Sequence, residues 1–211
     1  MIIPIVSLLT LFAVQPDALD LNRQGRDLLD QHRYSAARRV LQQAADNAQA
    51  DFGPRDPATA MILRNLALAQ IESGDPAAAE RTARLALSIF ESRFGKADAG
   101  LVPILNVLAE SYVSLGRLGD AQCAEQRAVS IGSAAGTHFG IALHNLGAIR
   151  EMSGDRADAE CLYQRAIAVK IETLGASHPY VLLSKEALHR VQRQDQFAMD
   201  RPHMIRLEHG E

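Results

Sequence analysis

Four segments of the chain align on one six-residue step, and this self-similarity restricts the fold more than any other feature. The segments run from His32 to Ala37, Gly74 to Ala79, Gly116 to Ala121 and Gly154 to Ala159, at spacings of 42, 42 and 38 residues. Seven residues before each step stands a small residue: Gly25, Ala67, Ala109 and Gly147. Eleven before it stands Leu21, Leu63, Leu105 or Leu143. Leu66, Leu108 and Leu146 precede three of the steps by eight, where the first unit has Gln24. Seven residues after the alanine that ends each step comes a second alanine: Ala44, Ala86, Ala128 and Ala166. Spacings of three, four and seven lie on one face of a helix. Each unit is therefore a helix A, a tight turn, a helix B and a linking loop. Glycine at the turn supplies the left-handed conformation that ends helix A.

In the second unit this spacing predicts helix A over roughly Ala58–Ser73 and helix B over roughly Pro76–Arg93. The links Phe52–Pro57, Phe94–Asp98 and Leu174–Pro179 share one logic. An apolar residue anchors the end of helix B, glycine stops it, and Pro or Asp opens the next helix. The link after the third helix B is four residues shorter and holds Gly132, Gly136 and Gly140. Composition agrees with helices. The chain has 34 Ala and 26 Leu, only 5% aromatics and no Trp. β-branched and aromatic residues are too scarce for an all-β chain, and the apolar content excludes disorder over most of it.

The pattern resembles the tetratricopeptide repeat, in the longer form found in kinesin light chains and many bacterial proteins. The 42-residue spacing, the loop Leu174-Gly175-Ala176-Ser177-His178-Pro179 and the helix B opening Ala159-Glu160-Cys161-Leu162-Tyr163-Gln164-Arg165-Ala166-Ile167 carry the likeness. It covers about Leu19 to Arg193. It implies an all-α, right-handed superhelical solenoid of stacked antiparallel helix pairs: four repeats and a capping half-repeat over residues 19–193. Residues 194–211 are expected to be a polar tail. A polar last helix, such as Lys185-Glu186-Ala187-Leu188-His189, suits a solenoid end.

The resemblance implies binding rather than catalysis, with the helix A faces lining a concave groove suited to a peptide or a partner's helix. Its groove-facing positions fall on Asn22, Arg23 and Arg26; on Arg64, Asn65 and Leu68; on Asn106, Val107 and Glu110; and on His144, Asn145 and Ala148. The polar residues Asn22, Arg26, Arg64, Asn65, Asn106, Glu110, His144 and Asn145 are the candidate partner-binding set. An Asn amide both donates and accepts, so a ladder of them can grip a backbone without reading its sequence.

No catalytic constellation is present in the sequence, and no cofactor is implied. There is no Gly-x-Ser-x-Gly, no phosphate loop and no Gly-x-Gly-x-x-Gly. His138 and His144 are six apart, not the i, i+4 pair of a helical metal site. His178 is expected to order its loop, and Glu80 and Glu160 to favour the dipole at the start of helix B. Cys123 and Cys161 occupy equivalent places on neighbouring hairpins. Helix axes there are about 8–10 Å apart, so two free thiols are expected. The net charge of −3, with 19 Arg against 3 Lys spread among acids, argues against nucleic-acid binding through phosphates. The competing expectation is a structural or assembly role, in which the solenoid ends stack on another copy or dock on an envelope complex.

Met1–Val14 is an apolar run, too short to span a bilayer and of the length of a signal-peptide core. Residues 1–18 are thus expected to be a signal peptide or short N-terminal anchor. Export from a bacterial cytoplasm, to the periplasm or beyond, follows as an expectation, with a cytoplasmic location as the alternative.

Overall fold

A computed structural model describes residues 17–193 of the chain. Residues 1–16 of the expected leader and the whole expected tail lie outside the described residues, while Asp17 and Ala18 form the start of α1. Nine α-helices are present among those described: α1 (Ala18–Asp30), α2 (Tyr34–Asp51), α3 (Pro57–Glu72), α4 (Pro76–Phe94), α5 (Val102–Ser114), α6 (Leu118–Ile131), α7 (Thr137–Met152), α8 (Arg156–Leu174) and α9 (Pro179–Gln192). The bounds of α3 and α4 differ from the sequence reading by one residue at most.

Each helix starts and stops for a local reason. Asp17 accepts from the Asp20 N–H, Asp56 from Ala58, Asp75 from Ala78 and Asp155 from Asp158, so four helix starts carry carboxylate caps. Pro57, Pro76 and Pro179 occupy first positions, where a missing N–H costs nothing. His178 caps α9 by accepting from the Tyr180 N–H at 3.2 Å, so it does order its loop.

The four A-to-B turns share one hydrogen bond. The N–H groups of Arg33, Asp75, Arg117 and Asp155 reach back to the carbonyls of Leu28, Gln70, Tyr112 and Arg150 at 2.8–2.9 Å. The residue before each donor is left-handed: Gly74, Gly116 and Gly154 in three turns, and His32 (φ 57°) in the first. The shortened third link is bridged by a single 3-10 turn, Ser133–Ala135, between left-handed Gly132 and Gly136.

Every helix packs on the next in sequence. The A helices α1, α3, α5, α7 and α9 also touch their successors, while the B helices make no comparable contact with one another. The product is an all-α repeat solenoid with an inner layer of A helices and an outer layer of B helices. The small residues set how closely each pair approaches. A Cβ on Gly25 would stand 2.4 Å from Leu41 Cγ, and one on Gly147 would stand 3.0 Å from Tyr163 Cε1. Where helix A is cut to glycine, helix B fills the space with a large side chain. Where it carries Ala67, the in-register residue of α4 is Ala83.

Two local expectations need correction. Phe52 and Phe94 do not anchor the helix B ends, being 39% and 48% exposed. In the second hairpin the anchor is Phe90, one turn earlier, buried against Gly100. Glu80 lies beyond the first turn of α4 and pairs with Arg84 and Arg117, both at 3.0 Å, instead of serving the helix dipole. Glu160 likewise accepts from Gln192 at 2.8 Å and so ties α8 to α9.

Candidate functional site

The candidate residues fall on successive A helices: Asn22 and Arg26 on α1, Arg64 and Asn65 on α3, Asn106 and Glu110 on α5, His144 and Asn145 on α7. Arg26 is exposed and Asn22 half-buried, while the other six are buried. A buried polar side chain requires a partner, and the structure supplies several from within the fold.

At the N-terminal end, Arg64 donates through Nε and Nη2 to Asn65 Oδ1 at 3.1 and 2.7 Å. Asn65 Nδ2 in turn donates to Asn22 Oδ1 at 2.8 Å, which links α3 to α1. Burial pushes the Arg64 guanidinium down to about 10, and the neighbouring charge of Arg26 pushes the same way. Two like charges thus face one stretch of the inner layer.

In the middle, Asn145 Nδ2 donates to Glu125 Oε1 at 3.0 Å. With its amide nitrogen turned toward α6, Asn106 donates to Glu125 Oε2 and to the Val102 carbonyl, both at 3.1 Å. Glu125 is wholly buried. Its carboxyl is pushed up to about 8, first by burial and then by the charge of Glu110, while the Asn145 hydrogen bond pulls it back.

At the C-terminal end, Ser184 of α9 stands between two bases. Lys170 Nζ donates to Ser184 Oγ at 2.8 Å, and Oγ lies 3.0 Å from His144 Nδ1. An ammonium can only donate, so the Ser184 proton is free to point at His144. Burial holds His144 well below the ordinary histidine range, and the charges of Lys170 and Arg190 add to this. Ser184 and Lys170 are fully buried, so the cluster binds α7, α8 and α9 together. Beside it, Glu151 receives Arg190 through Nε and Nη2 and Tyr163 through its hydroxyl, each at 2.8 Å.

Glu125, Lys170, Glu151 and Ser184 were missed by sequence reasoning. A signal for Glu125 was available. Four residues after the alanine ending each step stand Leu41, Ala83, Glu125 and Tyr163, so a carboxylate occupies a core register. The same signal marks Glu151, which stands where the other units have Leu29, Ile71 and Val113, and Lys170, which stands where the first two have Ala48 and Phe90; Ser184 lies in the diverged last half-unit. Among the described residues, Cys123 and Cys161 are free and exposed, and no cluster of three or more His, Cys, Asp or Glu could hold a metal ion. No helix among them is long and apolar enough to cross a membrane.

Solved structures share this architecture. Kinesin light chain nearly identical TPR-like repeats from Podosopora anserina superpose with a TM-score of 0.66 at 18% identity, covering 88% of this chain and 91% of that one. BtubC (BKLC) from P. vanneervenii gives 0.68 at 18% identity, covering 89% and 78%. MamA protein gives 0.52 at 16%, covering 88% and 92%. At such identities the likeness concerns the fold. No curated protein sequence matches the chain. Two models of the tetratricopeptide repeat match residues 17–92 and 141–180, together more than half of the sequence, and with four in-register hairpins the chain belongs to the tetratricopeptide repeat family.

Proposed function

We propose that the chain is a non-catalytic scaffold that holds a peptide or partner protein along the face formed by α1, α3, α5 and α7. Solenoids of this family present extended concave surfaces suited to such ligands. The observation that carries the finer reading is the Arg26–Arg64 pair. These guanidiniums repel one another, and neither has a carboxylate partner among the described residues. An acidic segment of a partner would relieve that repulsion, and a guanidinium fork suits a carboxylate.

The test places a photo-crosslinking residue at position 26 on α1 or at position 85, an exposed site on α4. Capture from a native lysate at position 26 alone supports the groove, and Arg26→Glu should weaken it. Equal capture at both positions, or none at position 26, rejects the assignment.

A second reading rests on α9, where Leu182 and Leu183 are 49% and 46% exposed at the end of the stack. End-on assembly with another copy or an envelope complex would cover them. Light scattering over a concentration series separates the readings, because only end-on self-assembly raises the mass. Export remains our proposal for localisation, on the apolar run Met1–Val14. Cell fractionation that finds the protein in the cytoplasm with Met1 intact would overturn it.

A further inference from the structure

The third hairpin contains a substitution that solenoid packing does not explain. Position 125 faces the interior between α5 and α7, where the first and fourth hairpins place Leu41 and Tyr163. All three side chains are fully buried. A carboxylate there has lost its hydration, and a buried charge is strongly penalised unless compensated. The compensation on hand is neutral: Asn145 of α7 on Oε1 at 3.0 Å and Asn106 of α5 on Oε2 at 3.1 Å. The ionisable group bearing on it from α5 is Glu110, of the same sign. Its neighbours one turn away on α6 are Ala121, Gln122, Ala128 and Val129, and the 3-10 turn packed on α6 is Ser133-Ala134-Ala135, none of them charged; α7 carries His138, His144, Arg150 and Glu151, yet the charge that bears on Glu125 is that of Glu110.

We propose that Glu125 is a proton-controlled joint between the α5–α6 and α7–α8 hairpins. Neutral, it bridges Asn106 and Asn145 and holds the two hairpins in the stacking seen here. Ionised, it places a charge beside Glu110 at a position closed to solvent, and the joint loosens to hydrate it. The balance is simple: the carboxylic acid gives its proton to solvent, and no bond between heavy atoms changes. The amides can follow the proton. Asn106 offers its nitrogen to an ionised Oε2 or, turned about, its oxygen to a protonated one. The inference does not depend on what the inner face binds.

The chain's own cysteines supply the test. Cys123 on α6 and Cys161 on α8 are free, exposed and on opposite sides of the joint. Both are spin-labelled in the full chain, and the distance distribution is measured at about pH 6 and about pH 9.5, either side of the value to which Glu125 is raised. The expected result is a longer or broader distribution at the higher pH in the wild type. Glu125→Gln, an isostere of the neutral acid, should show one distribution at both. Identical wild-type distributions overturn the proposal, as does a shift that persists in Glu125→Gln. If that variant does not fold, Glu125→Leu, which restores the residue type of the first hairpin, takes its place. If neither folds, the wild-type carboxyl-carbon shift of Glu125 decides. A titration centred above about pH 7 upholds the joint and one centred lower overturns it.

Discussion

Arg190 of α9 grips Glu151 of α7 through two hydrogen bonds of 2.8 Å each, and Glu151 is only 5% exposed. The geometry is the bidentate one that guanidinium allows and ammonium does not. Glu151 also accepts from Tyr163, so one carboxylate ties the fourth hairpin together and fastens the capping helix to it. Removing the cation leaves the carboxylate buried without its ion pair. Arg190→Ala should therefore cost about 3 kcal/mol in urea unfolding. Arg190→Lys should recover only part of this. Hydrogen exchange should show α9 opening first in both variants, and uniform protection along the chain would contradict the latch.

Gly25 owes its identity to Leu41. An added Cβ would meet Leu41 Cγ at 2.4 Å, with Cδ2 at 2.6 Å. Alanine is otherwise the better helix residue by about 1 kcal/mol, yet overpacking of a close contact costs about 1–3 kcal/mol. Gly25→Ala should thus destabilise the wild type. In a Leu41→Ala background the same change should cost nothing or stabilise. A double-mutant cycle measured by chemical unfolding detects the coupling, and additivity would show that the close approach is not what excludes alanine.

His32 shows the reverse case, a residue whose backbone would prefer to be glycine. It holds the left-handed conformation that Gly74, Gly116 and Gly154 hold in the other turns. That conformation costs a side-chain-bearing residue about 1–2 kcal/mol. The His32 Nδ1 contact to Tyr34 Oη at 2.8 Å is exposed and offsets little of it. His32→Gly should raise the stability by about 1 kcal/mol, or the melting temperature by roughly 2–4 °C for a chain of this size. A lower melting temperature would show that the imidazole contact outweighs the strain.

These sites show which features are legible in sequence. Glycine at the turn and small residues in helix A could be read because a backbone conformation or a close approach leaves few residue choices. The first turn was still recognisable with His32, since the rest of the unit keeps register. Helix ends were less legible. Phe94 sits at the end of α4, but Phe90 does the packing, because which aromatic turns inward depends on Gly100 in the following link. The groove positions could be placed on their helices, but their partners could not. Asn106 and Asn145 meet across Glu125, 19 and 20 residues away, and that meeting exists only once α6 lies between α5 and α7.

Two buried groups give the chain's stability opposite pH slopes. Glu125 is raised from 4.5 to about 8, so the folded state holds a proton that the unfolded chain has released. Its contribution is complete below about pH 4.5 and is lost as pH rises to about 8, by up to about tenfold in the folding constant per pH unit. His144 is lowered below 6.5, so the unfolded chain takes up a proton that the folded one refuses. Its contribution is present above pH 6.5 and is lost as pH falls below it. Urea unfolding of the wild type and Glu125→Gln from about pH 5 to about pH 9 separates them. The ratio of the two folding constants should fall with pH and level off near 8, and the stability maximum of the variant should lie at higher pH. A ratio that stays constant over this range would mean that Glu125 is already ionised at pH 5, with its charge carried by the Asn106 and Asn145 amides.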